Sequence, residues 1–363
     1  MSPFPPCNRK ILVTLDFPPS RGGIQRYLDD IVRHTFTEYD LVIAPGPGDA
    51  ADTTRHTCRI VRVPAFPRYI PDKLLLLPMA IRLFLELQRK GGGQTVVFAG
   101  NIFAALAVRL CALLTPVTWC CFTYGTELMI TRQTSRLRTL LWRHLLKRAE
   151  HVYYLTAATR ELLRTYLDPS TCIQMVPRIE IPAFTIHTLR SPDRQTLQIL
   201  SVGRLVPHKG HATLVDAVAL LDNVNLHCTI AGDGPDRLQL RQQIVRLDLK
   251  NKVTLYNDCD DEQLDHLYRS SDLFIFSSID TLDAREGFGI VLLEAMARHC
   301  AIITSDCHAA KDIFSTEKPC AQFFWAADAQ SLAHAIRTLA DNQSLRTELV
   351  RNAFTLLRER YVW

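Results

Sequence analysis

The chain has 363 residues, 47% hydrophobic and 22% charged, which excludes a disordered or very small protein and fits two ordinary globular domains. Its formal charge of +5 is split unevenly: residues 1–190 carry 24 Lys and Arg against 14 Asp and Glu, residues 191–363 carry 18 against 23. Eleven scattered cysteines with no Cys-x-x-Cys pair exclude a zinc-ribbon or disulfide framework and point to a reducing, cytoplasmic compartment.

Lys10–Leu15 reads as a buried strand. It leads through Pro18, Pro19, Gly22 and Gly23 into a helical pattern at Tyr27, Leu28, Ile31 and Val32. A strand, a glycine-bearing turn and a helix form a phosphate-binding arrangement, the alternative being a tight turn that needs positive φ. The turn is not Gly-x-Gly-x-x-Gly, which disfavours a dinucleotide oxidoreductase.

Strands are then expected at Tyr39–Ala44, Arg59–Val63, Thr95–Ala99, Val117–Phe122, His151–Leu155 and Cys172–Val176. Helices are expected at 73–90, 101–114, 135–149 and 158–167. This alternation predicts a parallel sheet wrapped by helices. Tyr124-Gly125-Thr126-Glu127 follows one strand, where loops line a ligand crevice.

Residues 132–148 interleave Arg132, Arg136, Arg138, Arg143, Lys147 and Arg148 with leucines and Trp142. Such a basic amphipathic helix suits an anionic membrane surface, or simply covers a sheet with its basic face in water. Residues 68–90, with Arg68, Tyr69, Lys73 and four consecutive leucines, extend the same surface. No apolar run is long enough to span a bilayer: Pro78, Arg82 and Glu86 break Leu74–Leu87, and Arg109 breaks Ala104–Leu114. No signal-peptide pattern opens the sequence, so a cytoplasmic protein, peripheral on the inner face of the membrane, is expected.

A second strand–helix series begins at Leu197–Val202, after a segment near Pro182–Arg194 without apolar period. Gly203, Arg204, Lys209 and Gly210 stand on its first loop. Two cations five residues apart on such a loop can converge on a diphosphate, Arg as a fork and Lys as a point charge. Further strands are expected at Asn225–Ala231, Lys252–Tyr256, Leu273–Phe276 and from Ile302, with helices at 236–247, 261–269 and 344–360. Asp258-Cys259-Asp260 nominally matches a metal motif but precedes a helix, where Asp is a normal cap. No metal site is assigned.

Downstream, Glu286 and Glu294 flank Phe288, Gly289, Ile290 and Val291. Eight helical steps separate the carboxylates by at most roughly 12 Å, the scale of a nucleoside diphosphate sugar. The helix start between them offers unpaired N–H groups to phosphate.

The stretch 285–297 resembles the Glu-x7-Glu signature of retaining glycosyltransferases of group 1, which have the GT-B fold. Gly203–Gly210 resembles that family's Gly-Arg…Lys-Gly motif, residues 17–24 its first loop, and Tyr124–Glu127 its His-Gly-Thr-Glu motif with Tyr for His. Two further departures are Val176-Pro177-Arg178, where the family shows Pro-Asn-Gly, and His308-Ala309-Ala310, where it shows glycines.

The resemblance implies two facing Rossmann-like domains. Residues 1–183 would form the acceptor side, 184–195 a linker and 196–342 the nucleotide-sugar domain, with a terminal helix at 343–363 crossing back. It implies sugar transfer from a nucleotide-sugar donor, a UDP- or GDP-sugar, without cofactor or metal. The basic first half favours a lipid-linked or envelope-glycan acceptor at the membrane surface. Glu286, Arg204, Lys209 and Tyr124 would act in catalysis. Gly22, Gly23, Arg204, Lys209, Phe288, Gly289, Ile290, Val291 and Glu294 would hold the donor. Two other readings stay open: a degenerate transferase serving as a binding protein, and a soluble transferase with a small-molecule acceptor. Nucleic-acid binding is disfavoured, because no RNA- or DNA-reading module is present.

Overall fold

A computed structural model describes residues 4–20, 22–46, 56–64, 75–89, 94–129, 135–182, 196–257, 259–282 and 284–363. The expected linker at 184–195 lies outside them, as do Arg68, Tyr69, Lys73, Arg132 and Asp258. The chain divides into two compact units, Met1–Pro177 and Arg178–Trp363.

The first unit is a seven-stranded sheet in the order β3-β2-β1-β4-β5-β6-β7. Its strands are β1 (Arg9–Val13), β2 (Leu41–Pro45), β3 (Arg59–Val63), β4 (Thr95–Ala99), β5 (Thr118–Thr123), β6 (His151–Tyr154) and β7 (Cys172–Gln174). All pairs are parallel, as the near-continuous apolar strands require of a sheet covered on both faces. The helices are α1 (Gly23–Thr35), α2 (Leu76–Gln88), α3 (Ala104–Cys111), α4 (Arg136–Leu146) and α5 (Ala157–Leu163). One apolar core joins the strands to the inner faces of α2, α3 and α4 through Met79, Leu83, Ala104, Val108, Trp142 and Leu145.

The second unit repeats the plan in six parallel strands, ordered β10-β9-β8-β11-β12-β13. These are β8 (Leu197–Val202), β9 (Leu226–Ala231), β10 (Val253–Tyr256), β11 (Leu273–Phe276), β12 (Ala301–Ser305) and β13 (Gln322–Phe324). Its helices are α6 (His211–Ala219), α7 (Arg237–Arg246), α8 (Asp261–Ser270), α9 (Ile290–Ala297), α10 (His308–Ile313), α11 (Ala329–Asp341) and α12 (Gln343–Arg360). The strand order in each unit reverses beside its first strand, so the loops after β1 and β4, and after β8 and β11, diverge around a crevice at the carboxyl edge of each sheet.

The terminal helix α12 packs on α9 and β12 of the second unit. Just beyond it Val362 bridges Ile179 in parallel, and the Ile179 amide donates to the Tyr361 carbonyl at 2.8 Å. These contacts draw residues from Arg178 onward into the second unit, ahead of the boundary expected at residue 183. Arg178 itself lies over the Trp363 ring at 5.8 Å. Asp260 caps α8 through a capping box with Gln263, the role expected of it.

Candidate functional site

In the second unit the site is built by two loops. After β8 the chain passes Arg204 and a short 3-10 turn, Pro207–Lys209, to Gly210, which takes φ 66° and opens α6. Only glycine fits here, because a Cβ would lie 2.0 Å from the Ser277 carbonyl oxygen of the loop after β11. That close approach lets the Ser277 hydroxyl donate to the Lys209 carbonyl at 2.8 Å and the Ile279 amide donate to the His208 carbonyl at 2.7 Å. The two loops are therefore laced together beside the point where strand order reverses.

Across this lacing the Lys209 ammonium pairs with the Glu286 carboxylate. Ser278 donates a second hydrogen bond to Glu286 at 3.3 Å, and the Ser305 hydroxyl holds the Ser278 carbonyl. Burial alone would push the Glu286 carboxyl up. The Lys209 ammonium, its hydrogen bond, nearby His208 and Ser278 outweigh burial and hold it below the ordinary value. Lys209 also stands 5.9 Å over the Phe276 ring. Burial, with the Lys209 charge second, lowers the His208 pKa, and the same causes bring the nearly buried His211 to about 4. The imidazoles are thus neutral at pH 7, and the fixed positive charge on this loop belongs to Lys209 and the exposed Arg204.

The helix start expected between the two glutamates is present. Gly289 caps α9 with φ 84°, and a Cβ there would meet the Phe276 ring at 3.0 Å. Phe288 is buried edge-on to Tyr361, while Ile290 and Val291 are half-buried in the first turn. Glu294 points inward: it is 3% exposed and accepts from the Tyr268 hydroxyl at 2.7 Å. The structure therefore brings Lys209 and Glu286 into contact, while the partner found for Glu294 is on α8.

Two features here were not foreseen. Ser277 and Ser278 directly follow the apolar run Leu273–Phe276, and that abrupt change at a carboxyl strand end was the available signal. His308, which stands where the family shows glycines, donates from its backbone to Asp280 Oδ2 at 2.8 Å, and its Nδ1 lies 2.6 Å from the same oxygen, a contact the sequence did not show.

In the first unit, Asp16 after β1 accepts from Asn101 at 2.6 Å and from Gln25 at 3.0 Å, which ties its loop to those opening α1 and α3. Gly22 is extended at φ 161° and Gly23 begins α1. Neither needs positive φ, so the tight-turn reading of this pair does not hold. Nothing lies within 4 Å of a Cβ built at Gly23. Tyr124 is buried, and its hydroxyl donates to the Gly100 carbonyl at 2.8 Å. Burial foremost drives its pKa well above the ordinary value, so it stays a neutral hydrogen-bond donor. Burial likewise raises Glu127, whose carboxylate accepts from the Tyr124 amide at 2.8 Å.

The family profile of glycosyl transferases group 1 matches residues 189–355, and that of the glycosyl transferase 4-like domain matches residues 22–178. The chain is 35% identical over 108 residues to the O-antigen chain mannosyltransferase RfbU of Salmonella typhimurium, covering 30% of this chain and 29% of that protein. It is 30% identical over 190 residues to the N-acetylgalactosamine-N,N'-diacetylbacillosaminyl-diphospho-undecaprenol 4-alpha-N-acetylgalactosaminyltransferase of Campylobacter jejuni, covering 52% of this chain and 50% of that protein. The matches span half or less of the length of these curated relatives. HepE of Anabaena, solved in complex with UDP and glucose, superposes with a TM-score of 0.78 at 18% identity, covering 97% of this chain and 95% of that one. One glycosyltransferase profile on each unit, together with this two-sheet fold, supports the chain as a member of the GT-B glycosyltransferase family.

Proposed function

We propose that the protein is a retaining glycosyltransferase that moves a sugar from a UDP- or GDP-sugar to a lipid-linked or envelope-glycan acceptor at a membrane surface, with no metal or cofactor required. The carrying observation is the Lys209–Glu286 ion pair on the laced loops, next to the start of α9. Arg204 and Lys209 offset the charge that grows on the leaving diphosphate as the anomeric carbon–oxygen bond breaks. The N-terminus of α9 adds its dipole. Glu286, ionised, takes a donor-sugar hydroxyl and fixes the lysine, and Glu294 holds the ribose. The acceptor oxygen bonds to the anomeric carbon on the face the phosphate leaves, and its proton passes to the departing phosphate oxygen. Phe288, Gly289, Ile290 and Val291 line the donor's place at the helix start.

RfbU and the Campylobacter enzyme, by their names, act on an O-antigen chain and on a diphospho-undecaprenol, which supports the acceptor class. Among the described residues no helix is long and apolar enough to cross a membrane.

One observation favours a second reading. The Tyr124 hydroxyl, in the position of the family's His, is already committed to Gly100, as suits a degenerate transferase that only binds. A panel of UDP-, GDP- and ADP-sugars tests both, with melting temperature and sugar transfer read together. A melting shift with transfer carries the first reading, a shift without transfer the second, and no shift with any donor refutes both.

A further inference from the structure

The loops after β11 and β12 support Glu286, and the same two loops carry a second pair that the chemistry above does not use. The Ser305 hydroxyl, at the end of β12, holds the Ser278 carbonyl, and the Ser278 hydroxyl donates to Glu286. Two residues past Ser278 stands Asp280, and three past Ser305 stands His308, the first residue of α10. Asp280 Oδ2 accepts from the His308 amide at 2.8 Å and lies 2.6 Å from His308 Nδ1. Burial foremost raises the thiol of the adjoining Cys307, and the Asp280 and Glu286 carboxylates both add to the rise. The two acids therefore stand within electrostatic reach of one residue, at the start of α10.

Asp280 sets both the position and the tautomer of the ring. A carboxylate oxygen only accepts, so Nδ1 carries a proton and Nε2 is the nitrogen left to a ligand. Nε2 has no partner among the described residues, and the His308 side chain is 55% exposed against 17% for Asp280. Asp280 Oδ1 is buried and likewise has no partner among the described residues, so the donors this carboxylate meets come from His308. The nearby Lys311 is taken by Asp306 at 3.2 Å, and neither engages the ring. An exposed side chain ordinarily keeps its rotamer freedom. Anchoring this one on a largely buried carboxylate orders it in advance, which lowers the entropic cost of meeting a ligand.

We propose that His308, oriented by Asp280, is a specificity residue for the donor sugar, its Nε2 meeting a sugar hydroxyl beside the one held by Glu286. A hydroxyl suits this nitrogen in either state of the ring, since it donates to the neutral imidazole and accepts from the charged one. A site that hydrogen-bonds a given hydroxyl rejects the analogue that lacks it. Bare nucleotide, without the transferable sugar, does not engage the ring. This rests on the reading of a nucleotide-sugar donor at Glu286 and adds what tells one sugar from another.

Titration calorimetry on the full chain tests the proposal by comparing UDP and GDP with UDP-glucose, UDP-galactose, UDP-xylose and GDP-mannose. At least one nucleotide sugar should bind the native chain more tightly than its bare nucleotide. His308→Ala keeps the backbone bond to Asp280; it should weaken that nucleotide sugar about tenfold, leave the bare nucleotide unchanged and flatten the differences among sugars. His308→Gln, which keeps a polar group of similar reach, should recover part of the loss. Asp280→Ala should act in the same direction and add nothing to His308→Ala, since Asp280 works through the ring. Melting temperatures serve as the control for folding. A folded His308→Ala chain that keeps the native gap between nucleotide sugar and nucleotide overturns the proposal and leaves the transferase reading standing. Equal weakening of both ligands makes His308 structural and overturns it as well. No binding of any nucleotide or nucleotide sugar by the native chain refutes the donor reading itself, and the proposal with it.

Discussion

The Tyr268 hydroxyl gives its hydrogen bond to the Glu294 carboxylate at 2.7 Å, with both side chains almost wholly excluded from water. Arg298 covers the tyrosine ring from 5.3 Å and pairs with Asp265 of the same helix, α8, at 2.8 Å. The second glutamate of the motif is thus fixed from behind by α8. If Glu294 holds the donor ribose as proposed, the hydroxyl meets a carboxylate whose orientation is already set, which lowers the ordering cost of binding.

Tyr268→Phe removes that fixed donor and leaves the shape of the core unchanged. Leaving a buried carboxylate short of one partner should cost about 1–3 kcal/mol of stability. If Glu294 grips the donor, affinity for nucleotide sugar should also fall, as titration calorimetry would show. A variant with lowered stability and undiminished affinity would confine Tyr268 to a structural role.

Lys209 and Glu286 are coupled, so their single substitutions should not add. Lys209→Ala removes the charge proposed to meet the diphosphate and should cost roughly 1.5–3 kcal/mol in donor binding or barrier. Glu286→Gln should cost a similar amount, because the lysine loses its partner. The double variant should lose less than the sum, and a double-mutant cycle on kcat/KM measures the difference. Full additivity would mean that the ion pair has no part in the reaction.

Much of this architecture was legible in the sequence, and the reason is periodicity. Arg59–Val63, Thr95–Ala99, Leu197–Val202 and Leu273–Phe276 form strands at the bounds read from their apolar runs. The short strand Gln322–Phe324 and the helix His308–Ile313 were not read. Three and six residues carry too little pattern, and β13 gains its place from pairing with β12. Lys209 and Glu286 were each readable as motif residues, but their ion pair depends on Gly210 admitting the Ser277 carbonyl, a contact across 67 residues of chain. The Tyr268 bond to Glu294 was invisible for the same reason: a tyrosine within an amphipathic helix reads as core.

Gly210→Ala tests the lacing directly. At φ 66° an added Cβ is disfavoured, and it would overlap the Ser277 oxygen. The loops must separate, which should destabilise the protein by more than about 1 kcal/mol and weaken donor binding. Gly23→Ala is the contrast, since open space surrounds its Cβ position and it is already helical. It should be neutral or slightly stabilising in thermal unfolding.

His211 gives the second unit a pH dependence of definite sign. Burial first, then the Lys209 charge, lowers its pKa to about 4, against roughly 6.5 in an unfolded chain. Between these values the unfolded state binds the proton and the folded state does not, so stability rises with pH across that window. The contribution is complete above about pH 6.5 and is lost on acidification toward pH 4, amounting to at most about 3 kcal/mol. His211→Gln keeps a polar side chain beside Ser201 and removes the titration. Urea unfolding from pH 7 to pH 4.5 should show a shallower fall in stability for the variant than for the native chain. Parallel slopes would mean that the imidazole takes up its proton over the same pH range folded and unfolded, and the depressed pKa of the histidine beneath the loop after β8 would have to be abandoned.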